Sequence, residues 1–443
     1  MPLPMPLSYR VGTALHGRAK LIAIATHSNP RIFLSAGEAS GDHYGAGIIA
    51  ELRTRMPDAT FTGLGGTEMA DAGQQRIVRA EDVAHMGFTE VIRHAPYIYA
   101  QYRKLVASIQ RQRPDVAILI DFPEVNFRLA KKLKRLGVPV LWFVSPQLWA
   151  WKRGRIRQVQ RTVDRMMVIF PFEAPFYRAR GVDAEFVGHP LAGLPLPTIT
   201  REGYAVQHGL DAARPWIALL PGSRWNEVTA NLPIMLEAAA LLGPGYDFLI
   251  PVANTLVTGK VSDLVFKELL PRIQWPTSSI TLVPDAREAL FHSRAAIVAS
   301  GTATVQALTI GTPFVVVYRV SALTFALAKR MIHYPAEIPA APDADGNLPI
   351  AMVNLIAGKR IVPELLNRRF TAANLIAELR PLLDETPTRP EMIADLAEAR
   401  AKLLPAPAPT GQPADPIRRV SDAVIELLQT CESAAPRTSA TNV

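Results

Sequence analysis

Residues Trp216–Val228 read WIALLPGSRWNEV: an apolar run, a break at Pro221 and Gly222, then polar residues where a helix can start. An apolar run bounded in this way predicts a buried strand of an α/β sheet, and the residues after it sit at the carboxyl end, where such sheets bind ligands. N–H groups at the following helix start favour an anion, Gly222 permits close approach, and Arg224 offers a planar fork for two phosphate oxygens. An ordinary strand-to-helix turn with a solvated Arg is the competing reading of these residues alone.

The same pattern extends outward on both sides. Upstream, RIFLSAG, ATFTGLGG, VAILIDF and PVLWFVSP read as strands, interleaved with helical spacing at His43–Met56 and a basic helix at Asn126–Arg135. Such alternation predicts a parallel, doubly wound sheet. The Pro-rich stretch Pro190–Thr200 interrupts it as a linker, and the alternation resumes with WIALLPGSR, YDFLIPV, SITLVP, AAIVASG and TPFVVVYR. A chain of 443 residues suits two cores rather than one. The expected organisation is α/β, with two Rossmann-like parallel-sheet domains at 31–190 and 204–404 facing a central cleft. Residues 191–203 are the hinge, 405–430 a connector and C-terminal helix, and 1–30 and 431–443 a poorly ordered extension and a disordered tail. The extension carries Arg10, Arg18 and Lys20 before LIAIA, but its apolar part is short and lacks the small-residue cleavage site of a signal peptide.

A second loop of the same kind lies in the C-terminal half. Ser300, Gly301, Thr302, Ala303 and Thr304 follow the strand AAIVA and precede a helical pattern, so hydroxyls and N–H groups converge at a helix start. Two such loops in one domain suit a diphosphate. Neither is followed by the GKS or GKT of a Walker A loop, and LSAGEASGD does not carry the GxGxxG of a dinucleotide fold. The formal charge of +9, from 48 basic and 39 acidic residues, favours nucleic acid, phosphorylated substrates or an acidic membrane surface without choosing among them. Cys431 is the single cysteine, which excludes an intrachain disulfide and a cysteine metal cluster. No apolar run approaches the ~18 residues of a membrane span.

The strings LSAGEASGDHYGAG, GLGG, IDFPEVNF, FVSPQLWAW, FPFE, FVGHPL, LLPGSR, ASGTAT, GTPFVVVYR and VNLIAGKRIVPELL occur in this order from Arg31 to about Phe370. Together they resemble the lipid-A-disaccharide synthases. The resemblance implies the GT-B architecture and an inverting glycosyltransferase that joins UDP-2,3-diacylglucosamine to 2,3-diacylglucosamine 1-phosphate (lipid X), giving the β-1,6-linked disaccharide of lipid A and UDP. It also implies a peripheral enzyme on the cytoplasmic face of the inner membrane, with no cofactor, no required metal and no nucleic-acid partner. Homo-oligomerisation is left open.

Inversion in one displacement needs a base for the acceptor hydroxyl and donors that stabilise departing UDP. Asp121, at the end of VAILI, is the first candidate base, with helix capping as its alternative role; Glu38 and Asp42 in SAGEASGD are the others, alternatively first-turn acids. Ser223 and Arg224, opposite Ser300, Gly301 and Thr302, are expected to hold the diphosphate. Gln306 stands where the family usually has a ribose-binding Glu, and its amide can still donate and accept. Asn354 and Glu364 match family positions lining the cleft, whereas Asn367 replaces an expected Gln. His189 is expected to make a structural hydrogen bond, with a place near the donor phosphate as its alternative, and Asp343–Asp345 to form a turn. Phe88, Arg93, Tyr97, Tyr99, Tyr102 and Arg103 mix aromatic and basic residues in the manner of a membrane interface, which half-buried helix packing would also explain. A UDP-sugar 2-epimerase on the same fold, or a non-catalytic sugar-nucleotide sensor, are the alternative functions.

Overall fold

The computed structural model describes residues 29–84, 95–273, 279–321, 325, 329–405 and 415–434. The first half forms a seven-stranded sheet: β1 (Arg31–Ala36), β2 (Thr60–Gly65), β3 (Gln74–Arg79), β4 (Val116–Ile120), β5 (Val140–Phe143), β6 (Arg165–Val168) and β7 (Ala184–Phe186), in the order β3-β2-β1-β4-β5-β6-β7. The second half forms a six-stranded sheet: β8 (Trp216–Leu220), β9 (Asp247–Pro251), β10 (Ile280–Val283), β11 (Ala295–Ala299), β12 (Phe314–Tyr318) and β13 (Glu364–Leu366), in the order β10-β9-β8-β11-β12-β13. Strand pairing is parallel in both, for example Ser35 with Leu119 and Val298 with Leu220. The continuous apolar runs have a simple cause. Helices cover both faces of a parallel sheet, so every side chain of VAILI in β4 and of WIALL in β8 is buried.

Four strands escape the sequence pattern: β3, β6, β7 and β13. Three of them are outer strands of their sheets, and QQRIVR and AEF carry polar side chains that an edge tolerates.

The helices that position the cleft and its surroundings are α1 (Ala39–Arg55), α2 (Thr67–Asp71), α3 (Ala95–Arg111), α4 (Pro123–Arg135), α5 (Ile156–Thr162), α6 (Trp225–Leu242), α7 (Thr302–Ile310), α8 (Met352–Ala357) and α9 (Pro416–Ala434). The last of these returns to the first sheet. Val420, Val424 and Leu428, four residues apart on one face, are buried, and α9 packs on α1, β4 and β5. Arg55 pairs with Asp422 at 2.6 Å and Arg165 with Glu426 at 3.1 Å, fixing its register. Further contacts join the halves: Arg180 reaches Glu337 at 3.0 Å, and the Trp149 and Tyr334 rings lie 5.8 Å apart.

Candidate functional site

Each sheet changes direction once. In the first, β1 and β4 are neighbours from which later strands run outward on opposite sides, and in the second β8 and β11 are. The crevice beyond such a reversal is where open α/β sheets bind ligands. The loops there are Gly37–Glu38, Asp121–Phe122, Pro221–Arg224 and Ser300–Gly301.

On the first rim, the Asp121 N–H donates to Phe143 O at 2.9 Å, and the chain then turns left-handed at Asp121 and Phe122, with φ of 44° and 48°. Two consecutive non-glycine residues in that region are costly, and a buried side chain holds them there. Asn126 Nδ2 donates to the carbonyls of Asp121 at 2.7 Å, Ile120 at 3.2 Å and Ser35 at 3.3 Å, while Ser35 Oγ donates to Asn126 Oδ1 at 2.6 Å. This clamp joins β1 to β4. Gly37 lets the Phe122 ring lie against the SAGE loop, where a Cβ would collide with it. The helix starts at Pro123, three residues before the expected Asn126, with Phe122 at the N-cap position; no side-chain cap bond is made, so Asp121 does not serve as a cap.

The half-buried Asp121 carboxyl therefore has unusual electrostatics. Burial pushes its pKa up from 3.8 to about 7, and the negative charges of Glu38, Glu124 and Glu173 add to the shift. Glu173 is itself fully buried and raised to about 7 by burial, although Ser145 Oγ at 2.6 Å, Trp149 Nε1 at 3.0 Å and the Phe170 N–H at 3.1 Å donate to it. These bonds tie down the SPQLWAW loop beneath the rim. Sequence reasoning missed both Asn126 and Glu173, since only long-range partners distinguish them from ordinary helix residues. Trp149 is core and Trp151 is 43% exposed. Buried His189 is depressed to about 3 by desolvation and accepts from the Leu191 N–H at 3.2 Å, so it is a neutral structural residue.

Asp42 needs correction as a candidate base. Its carboxylate accepts from the N–H groups of Gly66 at 2.7 Å, Glu68 at 3.0 Å and Met69 at 3.2 Å, capping α2 from a neighbouring helix. Gly66 is glycine because a Cβ would meet that carboxylate. Glu38, in contrast, remains half exposed on the rim.

On the second rim, Gly222 has φ 130° and Gly301 φ 150°, both favouring glycine, and the two loops stand side by side because β8 pairs with β11. Ser223, Arg224, Gly301 and Thr302 are exposed, and Ser300 and Gln306 half-buried. Glu227, unnoticed in the sequence, closes a capping box: it accepts from the N–H groups of Ser223 at 3.1 Å and Arg224 at 3.4 Å, and from Arg224 Nη1 at 3.3 Å. The other arm of Arg224 crosses the cleft. Its Nη2 lies 3.7 Å from Glu38 Oε1, so the cation of the second half faces the Glu38 carboxylate of the first.

Asn354 and Glu364 are corrected too. Glu364 accepts from the N–H groups of Ile350 at 3.1 Å and Ala351 at 3.0 Å and from Asn354 Nδ2 at 2.8 Å; Arg360 pairs with it at 3.4 Å. Asn354 Oδ1 accepts from the N–H groups of Ile361 and Val362. Both side chains are spent on fixing the start of α8, leaving nothing for a ligand. Asn367 adopts φ 45° and accepts from the Val320 N–H at 2.9 Å. In the PDADGN stretch, Asp343 accepts from the N–H groups of Asp345 and Asn347, which makes it the anchor of a turn.

Of the interface residues, Phe88 and Arg93 lie outside the described residues. Tyr97 and Tyr99 on α3 are 43% and 59% exposed, Arg103 is exposed, and Tyr102 is half-buried against the sheet. Among the described residues no helix is long and apolar enough to cross a membrane.

Two doubly wound sheets with facing switch-point loops constitute the GT-B fold of nucleotide-sugar glycosyltransferases and epimerases. The calicheamicin glycosyltransferase superposes with a TM-score of 0.54 at 14% identity, over 91% of this chain and 99% of that one. The UDP-GlcNAc 2-epimerase of Neisseria meningitidis, solved with UDP-GlcNAc, gives 0.55 at 12% identity, over 90% and 100%. The particular family comes from sequence: residues 32–403 match the family profile described as lipid-A-disaccharide synthetase. The lipid-A-disaccharide synthase of Acidobacterium capsulatum is 52% identical over 91% of this chain and 97% of its own length, and that of Koribacter versatilis 47% identical over 84% and 93%. The chain belongs to the lipid-A-disaccharide synthase family, and it is a glycosyltransferase of lipid A biosynthesis acting on lipid sugar substrates.

Proposed function

We propose that the chain transfers 2,3-diacylglucosamine from its UDP donor to the 6-hydroxyl of lipid X at the cleft between the two sheets. Asp121 takes the proton of that hydroxyl as its oxygen bonds to the donor's anomeric carbon from the side opposite UDP. The bond from that carbon to the diphosphate oxygen breaks, and the electron pair leaves with UDP. Arg224 and the N-terminus of α7, with Ser223, Ser300, Gly301 and Thr302, meet the developing charge. Gln306 is assigned to the ribose.

The observation that carries this reading is the approach of the exposed Arg224 guanidinium to Glu38 across the cleft, 3.7 Å away, on the same rim as Asp121, whose pKa is raised to about 7 by burial and by the charge of Glu38. A base titrating near neutrality is half ionised at working pH while retaining proton affinity. The acylated substrates support operation at the cytoplasmic face of the inner membrane, with Tyr97, Tyr99 and Arg103 at the lipid surface. The test is incubation of the purified protein with both acylated sugars in detergent, followed by mass analysis. Disaccharide 1-phosphate and UDP are expected; an isomerised UDP-sugar without coupling would favour epimerisation and overturn the reading.

A further inference from the structure

One stretch of this chain carries a concentration of positive charge. Residues 95–162 hold fourteen Lys and Arg and three acids, a surplus larger than the +9 of the whole chain. Their helices line one side of the first sheet: α3 packs on α4 and α4 on α5, while α1 and α9 pack together and α9 lies on β4 and β5. The charges of Arg128 and Arg135 on α4 act on Tyr102 of α3, so the basic surface is continuous with the helix bearing exposed Tyr97 and Tyr99.

Between α4 and α5 the surface sinks into a groove of about 590 Å³, lined by Lys131, Lys134, Arg135, Arg155, Arg157 and Arg161. Lys134 pairs with Asp164, and Arg155 lies 5.4 Å from the Phe127 ring centre. Among the described residues, Lys131, Arg135, Arg157 and Arg161 have no carboxylate at ion-pair distance. Clustering this many like charges around one concavity is unfavourable unless an anion neutralises them. Shortly before the groove residues Gly154 and Arg155 in the chain comes exposed Trp151, with Lys152 Nζ 4.0 Å from its ring centre, an amphipathic pair suited to the headgroup layer.

We propose that this groove is a headgroup site that docks the protein on anionic phospholipid bilayers, seating lipid phosphates among Lys131, Arg135, Arg157 and Arg161. It rests on the reading that the substrates are membrane lipids, and it adds a defined electrostatic site, separate from the cleft, to the aromatic contact on α3. The lipid phosphates replace water and salt around the guanidinium groups, so binding weakens as ionic strength rises.

The test is sedimentation of the full chain with vesicles of phosphatidylglycerol mixed into phosphatidylcholine, compared with phosphatidylcholine alone, at low and high salt. The variant Lys131→Glu with Arg157→Glu and Arg161→Glu alters exposed side chains only. It should partition at least roughly tenfold more weakly onto the anionic vesicles, while turning over detergent-dispersed substrates within about twofold of wild type. Equal sedimentation of variant and wild type overturns the headgroup site. So does wild type that makes disaccharide in detergent but ignores anionic vesicles, a result that leaves the catalytic reading intact. Groove-dependent sedimentation without disaccharide formation supports the site and sinks the catalytic reading instead. Groove-dependent binding of duplex DNA in place of vesicles would also overturn the proposal.

Discussion

The two rims of the cleft are built at the same topological position and solve opposite problems. Around Asp121 the first rim is crowded: a left-handed backbone is clamped by buried Asn126, and a carboxyl is held near pKa 7 by desolvation and neighbouring acids. Around Arg224 the second rim is open, with glycines at φ 130° and 150° and exposed donors. Desolvation suits a group that must gain and lose a proton, whereas exposed N–H groups and a guanidinium suit a charged ligand that arrives from water. On this contrast rests the assignment of proton chemistry to the first half and leaving-group binding to the second.

Asp121→Asn puts this division under the greatest strain. It keeps shape and tolerates the left-handed backbone, so kcat should fall by roughly 10²–10⁴ with UDP affinity nearly unchanged. Turnover within about threefold of wild type, with the protein folded, would remove Asp121 as the base and leave Glu38 next in line. The same group predicts a pH profile. On the proposed role, activity requires ionised Asp121, so kcat/KM should rise through an inflection near pH 7. The stability sign is opposite: a carboxyl raised from 3.8 to about 7 favours the folded state at low pH, and that contribution is lost as pH rises from about 4 to above 7. Asp121→Asn should therefore gain thermal stability relative to wild type at pH 8 and not at pH 4.

Arg224→Ala tests the other rim. On the proposed role the guanidinium meets the diphosphate before and during bond breaking, so both donor affinity and kcat should suffer, kcat by about 10²–10³. Loss of kcat alone, with UDP binding by calorimetry intact, would undo the assignment.

Asn126→Leu asks whether the clamp serves the chemistry or only the fold. Leaving the Ser35, Ile120 and Asp121 carbonyls without their donor should cost about 1–3 kcal/mol of stability. Per folded molecule, misdirection of Asp121 should lower kcat by up to about 10²-fold without changing UDP affinity. An unaltered kcat per folded molecule would confine Asn126 to structure.

The smallest effect belongs to Glu38→Gln. Burial is the main cause of the raised Asp121 pKa and Glu38 the next, so the inflection in kcat/KM should move down yet stay above the usual carboxylate range. An unmoved inflection would separate the two carboxylates electrostatically.

Much of this protein is legible in its amino-acid string. The apolar runs, the Pro and Gly breaks after WIALL and AAIVA, and the order of the family strings suffice for two doubly wound sheets, a glycosyltransferase family and the loops at the strand ends, because periodicity and turn chemistry are local. Which polar side chains remain free is settled only in three dimensions. Asp42, Asn354 and Glu364 look as available in the string as Asp121 and Glu38, yet their polar atoms are taken by backbone N–H groups and, for the last two, by each other once the chain has folded. The return of α9 to the first sheet, the reach of Arg224 to Glu38 and the merging of scattered Lys and Arg into one groove are likewise invisible along the chain. A group's proton affinity, its free lone pairs and the field around it depend on neighbours through space, and only the packed fold supplies those.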